Sequence, residues 1–319
     1  MTHLSRRSFG LAALSAPVLI SSGTAASAQN TQPAARAPAM FDAPVGRYRI
    51  TAVFDGMAPL GKNFFFGPDQ SQIDGALAAA GISGDVLPAP VNAFLLQSDD
   101  RTILIDGGMG AVDILGPGFG RLADGLAAAG VMADDVDMII VTHAHPDHIG
   151  GLVDEGGAAF PKAELVMTDV EFGFWGDEAM LTQAPEDARP LFALAQSVFG
   201  AYGDRVRAVA PETEVAPGVM LELAPGHTPG HAVVHIDGGD QQLLMIADAL
   251  HSTDLQTALP ETGFGFDVDP EQAAQTRMRI FDRAAADGLL IAGSHVHFSG
   301  FGRIVRSDNA YRFVPTSWL

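Results

Sequence analysis

The segment His143-Ala144-His145-Pro146-Asp147-His148 places three histidines and one aspartate within six residues. It directly follows the apolar run 138–141, which is typical of a buried strand. Side chains two residues apart in an extended turn point the same way, so the first two histidines can bind one ion while the aspartate and the last histidine face a second. Imidazole nitrogen with carboxylate oxygen is a ligand set typical of zinc. The segment therefore predicts a metal centre at the end of a strand.

Three more candidate ligands, His227, Asp248 and His295, lie just past apolar runs that we predict to be strands. Because a rigid sheet presents the loops at its strand ends along one edge, all of the candidates can converge there. Together they supply enough ligands for two ions. The full set of predicted metal ligands is His143, His145, Asp147, His148, His227, Asp248 and His295.

Composition narrows the class of protein. The chain has 319 residues, of which 47% are hydrophobic and 18% charged, as in globular proteins with a large core. It contains no cysteine, which excludes disulfides, cysteine-ligated zinc, iron–sulfur clusters and thiol catalysis. The formal net charge of −20 argues against nucleic acid or an anionic membrane as a partner.

The N-terminus has the pattern of an export signal. Arg6 and Arg7 precede the short apolar run 10–20, and residues 26–28 read Ala-Ser-Ala, the form of a cleavage site. The paired arginines are typical of a twin-arginine signal over residues 1–28, and the apolar run is too short to anchor the chain in a bilayer. We expect a periplasmic or secreted protein that is exported folded. A buried N-terminal helix is the alternative.

Residues 29–44 are rich in Ala, Pro and Gln and predict a flexible leader, so that 45–319 form the folded domain. Strands and helices interleave there, and strand pairs that suit hairpins occur in both halves. This pattern predicts an α/β fold with two packed mixed sheets and outer helices. The predicted strands are 48–54, 91–97, 101–105, 138–141, 163–167, 219–223, 232–236, 242–246 and 289–292, and the predicted helices are 120–129, 186–199 and 270–286. The Gly/Pro-rich segments 55–90 and 252–268 predict long loops.

With Asp106 in Ile105-Asp106-Gly107-Gly108, the seven candidate ligands resemble the five motifs of the metallo-β-lactamase superfamily. The resemblance covers about residues 45–319 in motif order and implies an αββα sandwich with the metal site at the sheet edges. A closer resemblance is to the methyl parathion hydrolase, lactonase and aryl-esterase group. The segments that carry it are 116–122, 174–175, 297–302 and 311–315. Ser299 stands where that group usually has Pro.

The resemblance implies two divalent metal ions per chain, with Zn²⁺ as the expected metal, although manganese, cobalt or iron suit the same ligands. One ion would take His143, His145 and His227. The other would take Asp147, His148 and His295, with Asp248 as the bridge. A metal-bridging hydroxide would attack the substrate, and Asp147 would supply a proton to the leaving group. Asp106 would orient a ligand; a turn-capping role is its alternative.

Function hypotheses follow from the same resemblance. The leading one is hydrolysis of a lactone or aryl ester, and the alternative is hydrolysis of an organophosphate triester, both with small neutral substrates. A β-lactamase and a glyoxalase II are disfavoured, the latter because Lys and Arg total only 18. Redox di-iron chemistry is disfavoured because position 144 is Ala rather than a carboxylate. A non-catalytic metal-binding scaffold is the remote alternative, and it predicts damaged ligand motifs.

Four further histidines are candidates for a role near the metals. His251, three residues after Asp248, could donate a hydrogen bond to a carbonyl oxygen or shuttle a proton. In the methyl parathion hydrolase resemblance an apolar residue stands there, so His251 favours carbonyl substrates. A supporting or surface histidine is the alternative. His231 suits either support of a ligand or a structural turn. His235 suits a structural role, and His297 a place near the site.

Aromatic residues supply the candidate substrate pocket. Trp175, Phe119 and Phe192 could line it, with ordinary core packing as the alternative. Phe64, Phe65 and Phe66 form one run in a Gly/Pro-rich segment, and they could cover the site or form a dimer contact. The family resemblance implies a homodimer.

Overall fold

The structure, a computed structural model, describes residues 38–114, 116–155 and 157–316. The predicted signal at 1–28 and residues 29–37 of the predicted leader lie outside the described residues. The rest of that leader contains strand β1 (Met40–Val45), which pairs antiparallel with the next strand. The prediction of a flexible leader is therefore wrong for residues 40–44, because Ala43 is buried in the main core.

The strands in chain order are β1, β2 (Tyr48–Gly61), β3 (Phe65–Phe66), β4 (Val86–Gln97), β5 (Thr102–Ile105), β6 (Met138–Ile140), β7 (Val153–Asp154), β8 (Gly157–Ala158), β9 (Glu164–Thr168), β10 (Val206–Val209), β11 (Thr213–Ala216), β12 (Val219–Leu223), β13 (Ala232–Asp237), β14 (Gln242–Met245), β15 (Gly263–Phe264), β16 (Leu290–Ala292), β17 (Phe301–Ser307) and β18 (Ala310–Pro315). The helices are α1 (Gln70–Ala79), α2 (Leu122–Ala128), α3 (Pro146–Ile149), α4 (Asp169–Gly176), α5 (Glu178–Gln183), α6 (Arg189–Tyr202) and α7 (Pro270–Asp287).

Most strands belong to two seven-stranded sheets, with the orders β1-β2-β4-β5-β6-β9-β10 and β11-β12-β13-β14-β16-β17-β18. Strands β5, β6, β9 and β10 run parallel in the first sheet, and β14 runs parallel to β16 in the second. The other neighbouring pairs are antiparallel, as in β2 with β4 and β17 with β18. Both sheets are therefore mixed, as the sequence pattern predicts.

The main core lies between the two sheets. Ile50 and Ile140 of the first sheet belong to one buried cluster with Leu221 and Val234 of the second. Burying each such side chain stabilises the fold by about 1.5–3 kcal/mol. A second cluster packs α2, α4 and α6 on the outer face of the first sheet, and a third packs α7 on the second sheet. The layers are αββα, which confirms the expected fold.

Helix α7 shows how local sequence sets an element's limits. The side chain of Asp269 accepts a hydrogen bond from Gln272 N at 3.0 Å and caps the first turn, where Pro270 also stands. Gly288 ends the helix with a left-handed backbone at φ 63°. The prediction of 270–286 thus differs from the structure by one residue.

The prediction of a long loop at 55–90 is wrong. Strands β2 and β4 extend through it as a paired arm, with Gly61 opposite Val86, and α1 lies between them. Pro88 and Pro90 of β4 are residues that ordinarily indicate a loop, yet here they lie within a paired strand. They are tolerated because β5 pairs only with residues 94–97, which leaves the arm of β4 at an edge. Segment 252–268 is irregular as predicted, apart from β15, which pairs with β3.

The sequence pattern does not predict thirteen of these elements: β1, β3, β7, β8, β10, β11, β15, β17, β18, α1, α3, α4 and α5. Within the described part of the chain, no helix combines the length and apolar character needed to cross a membrane.

Candidate metal centre and active site

The ligand candidates converge where strands of both sheets end. His143 and His145 follow β6, and Asp147 and His148 lie in α3, whose first residue is Pro146. His227 follows β12, Asp248 follows β14, and His295 follows β16. The parallel pair β14 and β16 delivers its two ligands side by side. All seven side chains are buried.

The first group of ligands is a histidine triad. His145 Nδ1 lies 3.1 Å from His143 Nε2 and 2.9 Å from His227 Nε2. Three ring nitrogens so placed face one common point, within 4.8 Å of one another. We call this group the first triad.

The second group combines a carboxylate with two histidines. Asp147 Oδ2 lies 3.6 Å from His148 Nε2 and 3.5 Å from His295 Nε2. The three ligand atoms are again within 4.8 Å of one another. We call this group the second triad.

Asp248 lies between the two triads. Its Oδ2 is 3.4 Å from His227 Nε2 and 3.1 Å from His295 Nε2, while its Oδ1 is 3.1 Å from His148 Nε2. One carboxylate thus reaches ligands on both sides, which is the position that a bridging ligand requires. The structure brings together all seven predicted ligands in the two groups expected.

The side chains present fit a pair of divalent ions. Among the described residues, His148 Nε2 and Asp248 Oδ1 are buried and lie 3.1 Å apart, but neither has the geometry of a hydrogen bond to the other or to any other group. A buried polar atom without a partner is costly, and a cation at the common point would satisfy both. Nitrogen and carboxylate oxygen ligands suit zinc and its neighbours.

The electrostatics differ between the triads. Burial lowers the pKa of His143, His145 and His227 well below the ordinary value, so these rings are neutral and offer lone pairs. Burial also opposes a charge on His295, but the nearby Asp248 carboxylate outweighs it and raises the pKa of His295 to about 9. The second triad therefore lies in an anionic environment that attracts a cation.

Asp106 orients two of the ligand rings. Its Oδ2 accepts hydrogen bonds from His148 Nδ1 at 2.7 Å and from Thr142 Oγ1 at 2.8 Å. Thr142 Oγ1 lies 3.2 Å from His143 Nδ1 and can accept its proton. Both rings are then held with Nε2 free for a metal. The contacts therefore match the orienting role rather than the turn-capping alternative.

His231 supports the backbone rather than a ligand side chain. Its Nδ1 donates to Ala224 O at 2.9 Å, and its Nε2 accepts from the backbone N of Asp248 at 3.1 Å. The ring therefore fixes the loop that carries the bridging carboxylate. His235 pairs with Glu222 on the second sheet, and His297 bonds to Asp254 at 2.6 Å, so neither contacts the ligands.

His251 lies directly beside the centre. Its Nε2 is 3.1 Å from Asp248 Oδ2, and its ring stacks on Phe264 with centroids 3.8 Å apart. Burial lowers its pKa, so the ring is neutral. Its backbone N donates to Gln256 Oε1 at 2.8 Å, which fixes the loop independently of the ring.

A cavity opens above the two triads. Its floor includes His145, Asp147, His227, Asp248, His251 and His295, and its apolar walls are Ala58, Leu60, Ala89, Ile114, Pro146, Leu191, Phe264 and Phe266. The predicted pocket residues Trp175, Phe119 and Phe192 do not line it, so that prediction is wrong. Trp175 of α4 and Phe192 of α6 pack on each other in the cluster between these helices and the first sheet, and Phe119 packs against a separate cluster that includes Leu60 and Phe264.

The phenylalanine run lies behind one wall of this cavity. Phe65 and Phe66 form β3 and pair with β15, and Phe64 stacks on Phe266 with centroids 5.4 Å apart. These contacts place the run beside the site, and the dimer contact stays a prediction.

Sequence reasoning missed three groups that hold the ligands. Asp267 accepts a hydrogen bond from His227 Nδ1 at 2.8 Å, and Pro90 O accepts one from His295 Nδ1 at 2.8 Å. Glu171 is buried and accepts hydrogen bonds from the backbone N of Ala144 and of Gly230, which lie in the two segments that carry the first triad. None follows a strand in a recognisable motif. Asp267 lies within a Gly/Pro-rich segment that is predicted to be a loop, so the sequence does not distinguish it from other loop aspartates. The carbonyl of Pro90 belongs to the backbone, which every residue has, so the sequence cannot indicate its role.

Comparisons with known proteins agree with this geometry. The model of the metallo-beta-lactamase superfamily matches residues 86–295. The chain is 28% identical over 192 residues to the probable metallo-hydrolase Rv2300c of Mycobacterium tuberculosis; the match covers 50% of this chain and 56%, or about half, of that protein. It is also 28% identical over 266 residues to the N-acyl homoserine lactonase of Bacillus thuringiensis, covering 77% of this chain and 92% of that protein.

Two solved structures share the fold. The hydrolase AbOPH of the beta lactamase superfamily has a TM-score of 0.83 and 28% identity, covering 89% of this chain and 99% of its own. AidC, a dizinc quorum-quenching lactonase, has a TM-score of 0.80 and 24% identity, covering 89% of this chain and 99% of its own. Since the family model spans more than half of the chain and the αββα layers agree with it, the chain belongs to the metallo-β-lactamase superfamily.

Proposed function

We propose that the protein is a hydrolase of lactones or aryl esters that uses two divalent metal ions, with Zn²⁺ as the expected metal. The observation that carries the proposal is the pair of ligand triads, joined by Asp248, at the floor of an apolar cavity. A scaffold without catalytic function would not need a cavity that opens onto the ligands.

The first triad would hold one ion, the second triad the other, and Asp248 would contact both. When bound, two such ions lower the pKa of a water molecule and polarise the oxygen of the bond under attack. Asp147 lies on the cavity floor, where its carboxyl can pass a proton to the leaving group. Asp106 and His231 keep the ligands in place by the contacts described above.

His251 would act on the substrate from the cavity floor. Its neutral ring can donate a hydrogen bond to a carbonyl oxygen or to the leaving oxygen, and Phe264 holds the plane of the ring. This residue is the reason for preferring a carbonyl substrate over a phosphotriester.

The cavity selects neutral substrates with an apolar part. Among its described lining residues none is Lys or Arg, so its walls offer no cationic side chain to an anionic part of a substrate. The similarity to the N-acyl homoserine lactonase of B. thuringiensis supports a lactone as the substrate. A lactone is also neutral, which suits this cavity.

We also propose that the protein is exported folded by a twin-arginine signal and forms a homodimer. The support for export is the Arg6-Arg7 pattern before a short apolar run. The support for a dimer is the family resemblance alone.

A hydrolysis panel tests the proposed reaction. The purified metal-loaded protein would be assayed with a lactone, an aryl ester and an aryl dialkyl phosphate, before and after chelator treatment. We expect turnover of the lactone or the aryl ester to be the highest of the three. The chelator should remove about two ions per chain and abolish this activity, and added Zn²⁺ should restore it. Full activity in metal-free protein, or no turnover of any of the three, would refute the proposal.

A further inference from the structure

The two segments that form the first triad are joined by a buried carboxylate whose hydrogen bonds, among the described residues, include none to a ligand side chain. Glu171, in α4, is completely buried. Its Oε1 accepts hydrogen bonds from Ala144 N at 2.9 Å and from Trp175 Nε1 at 2.7 Å. Its Oε2 accepts from Thr228 Oγ1 at 2.7 Å and from Gly230 N at 3.0 Å.

Each oxygen therefore serves one ligand segment. Ala144 stands between His143 and His145, while Thr228 directly follows His227. The contact is also tight, because a Cβ added to Gly230 would lie 2.1 Å from Glu171 N. The three histidines of the first triad come from segments that are more than 80 residues apart in the chain, as His145 and His227 are separated by 82. Glu171 fixes the distance between those segments.

The four donors to Glu171 are two backbone amides, an indole and a hydroxyl, and none of them is a cation. The carboxylate charge is thus not cancelled by the groups that bind it. A charge in a buried setting acts over a longer range than one in water. It therefore favours a cation held by three neutral histidines nearby.

We propose that Glu171 is a positioning residue for the metal ion of the first triad and not for the ion of the second. The inference rests on the proposed two-metal centre and is independent of the substrate. Among the described residues, none of the four hydrogen bonds that Glu171 accepts comes from Asp147, His148, His295 or a residue adjacent to one of them. In the second triad, His148 is held by Asp106 and His295 by the carbonyl of Pro90.

The test is a calorimetric titration of the metal-free protein with Zn²⁺, repeated with Co²⁺ to follow the visible spectrum of each site. Glu171→Gln keeps the shape but replaces one acceptor oxygen by an NH₂ group and removes the charge. We expect affinity for one ion to fall about 10- to 100-fold, the usual loss when an outer partner of a metal ligand is removed. The second ion should bind as in the wild type, and the Co²⁺ spectrum should lose the contribution of the three-histidine site.

Asp55→Asn is the matched control. Asp55 is likewise completely buried and accepts three backbone hydrogen bonds, from Met109, Gly120 and Leu122, outside the ligand segments. The Asp55→Asn variant should have a lower thermal stability, while both ions bind to it with wild-type affinity. Thr228→Val removes a single donor to Glu171 and covers the case in which Glu171→Gln fails to fold. It should weaken the same ion by a smaller factor.

Two ions bound to Glu171→Gln or to Thr228→Val with wild-type affinity would overturn the inference. So would an equal weakening of both ions. Fewer than two ions in the wild-type protein would instead overturn the proposed two-metal function, so the two failures are distinguishable.

Discussion

Replacing His251 by leucine should distinguish the two candidate classes of substrate, which are carbonyl compounds (lactones and aryl esters) and phosphotriesters. The backbone of His251 is held by Gln256, so the loop should keep its path when the ring is lost. Leucine also keeps an apolar contact with Phe264. What disappears is the imidazole, whose Nε2 lies 3.1 Å from Asp248 Oδ2 on the floor of the cavity.

The size of the effect follows from what that nitrogen does. A positioned general acid or base contributes about 10²- to 10⁴-fold, and a neutral hydrogen bond contributes about 0.5–1.5 kcal/mol, or 2- to 10-fold. His251 is a neutral ring beside a carboxylate, so we place the loss between these limits. We expect His251→Leu to lower kcat for a lactone by about 10- to 100-fold, or ~1.4–2.7 kcal/mol of barrier. Turnover of an aryl dialkyl phosphate should stay equal or rise, because the apolar side chain suits that bulkier group.

The assay is steady-state kinetics of both substrates on both proteins, with metal content measured in each preparation. His251→Gln is the companion variant. It restores most of the rate if the ring only donates a hydrogen bond, and it remains as slow as leucine if the ring transfers a proton. A leucine variant with full metal and full lactone turnover would refute the role of His251. So would a wild-type protein that prefers the phosphotriester.

Three further predictions concern the metals, export and acid stability. Asp248→Ala should lose activity and one or both ions, because this carboxylate lies between the triads. A variant that holds two ions by elemental analysis and hydrolyses the substrate at a near wild-type rate would reject Asp248 as the bridge. Replacing Arg6 and Arg7 by lysine should block delivery to the periplasm, measured by cell fractionation, whereas unchanged delivery would indicate an ordinary secretory signal. Burial opposes the charge on Glu222, but its bonds to His235 and Arg283 lower its pKa from 4.5 to about 2. Since this pKa is below that of the unfolded chain, the stabilisation is complete above pH 4.5 and is lost as the pH falls toward 2. Discounted for partial exposure, this stabilisation amounts to about 1–2 kcal/mol. Glu222→Gln should therefore reduce the free energy of unfolding at pH 7 but not at pH 2. An equal reduction at both pH values would contradict this.

The fold was predictable where hydrophobic pattern and end signals agree. The buried run that becomes β6 and the helix between Asp269 and Gly288 are examples, because each carries its own signal in consecutive residues. Strand β1 was not predictable, because its Ala- and Pro-containing sequence gains its partner only when β2 folds beside it. The β2–β4 arm was hidden for a similar reason, since an edge strand tolerates the prolines that ordinarily indicate a loop.

The sequence by itself determined the ligand set, because histidine and aspartate clustered after strand ends are rare and their chemistry is specific. Only the tertiary structure decided what surrounds that set. Glu171 and Asp267 reach the first triad from segments far away in the chain, and the side chains that hold a ligand need no motif of their own. The cavity walls were equally hidden, because Leu60 and Leu191 are ordinary apolar residues whose neighbours are set by how the sheets and helices pack. A local pattern can specify which atoms bind a metal, whereas the shape of a cavity is a property of many separate contacts at once.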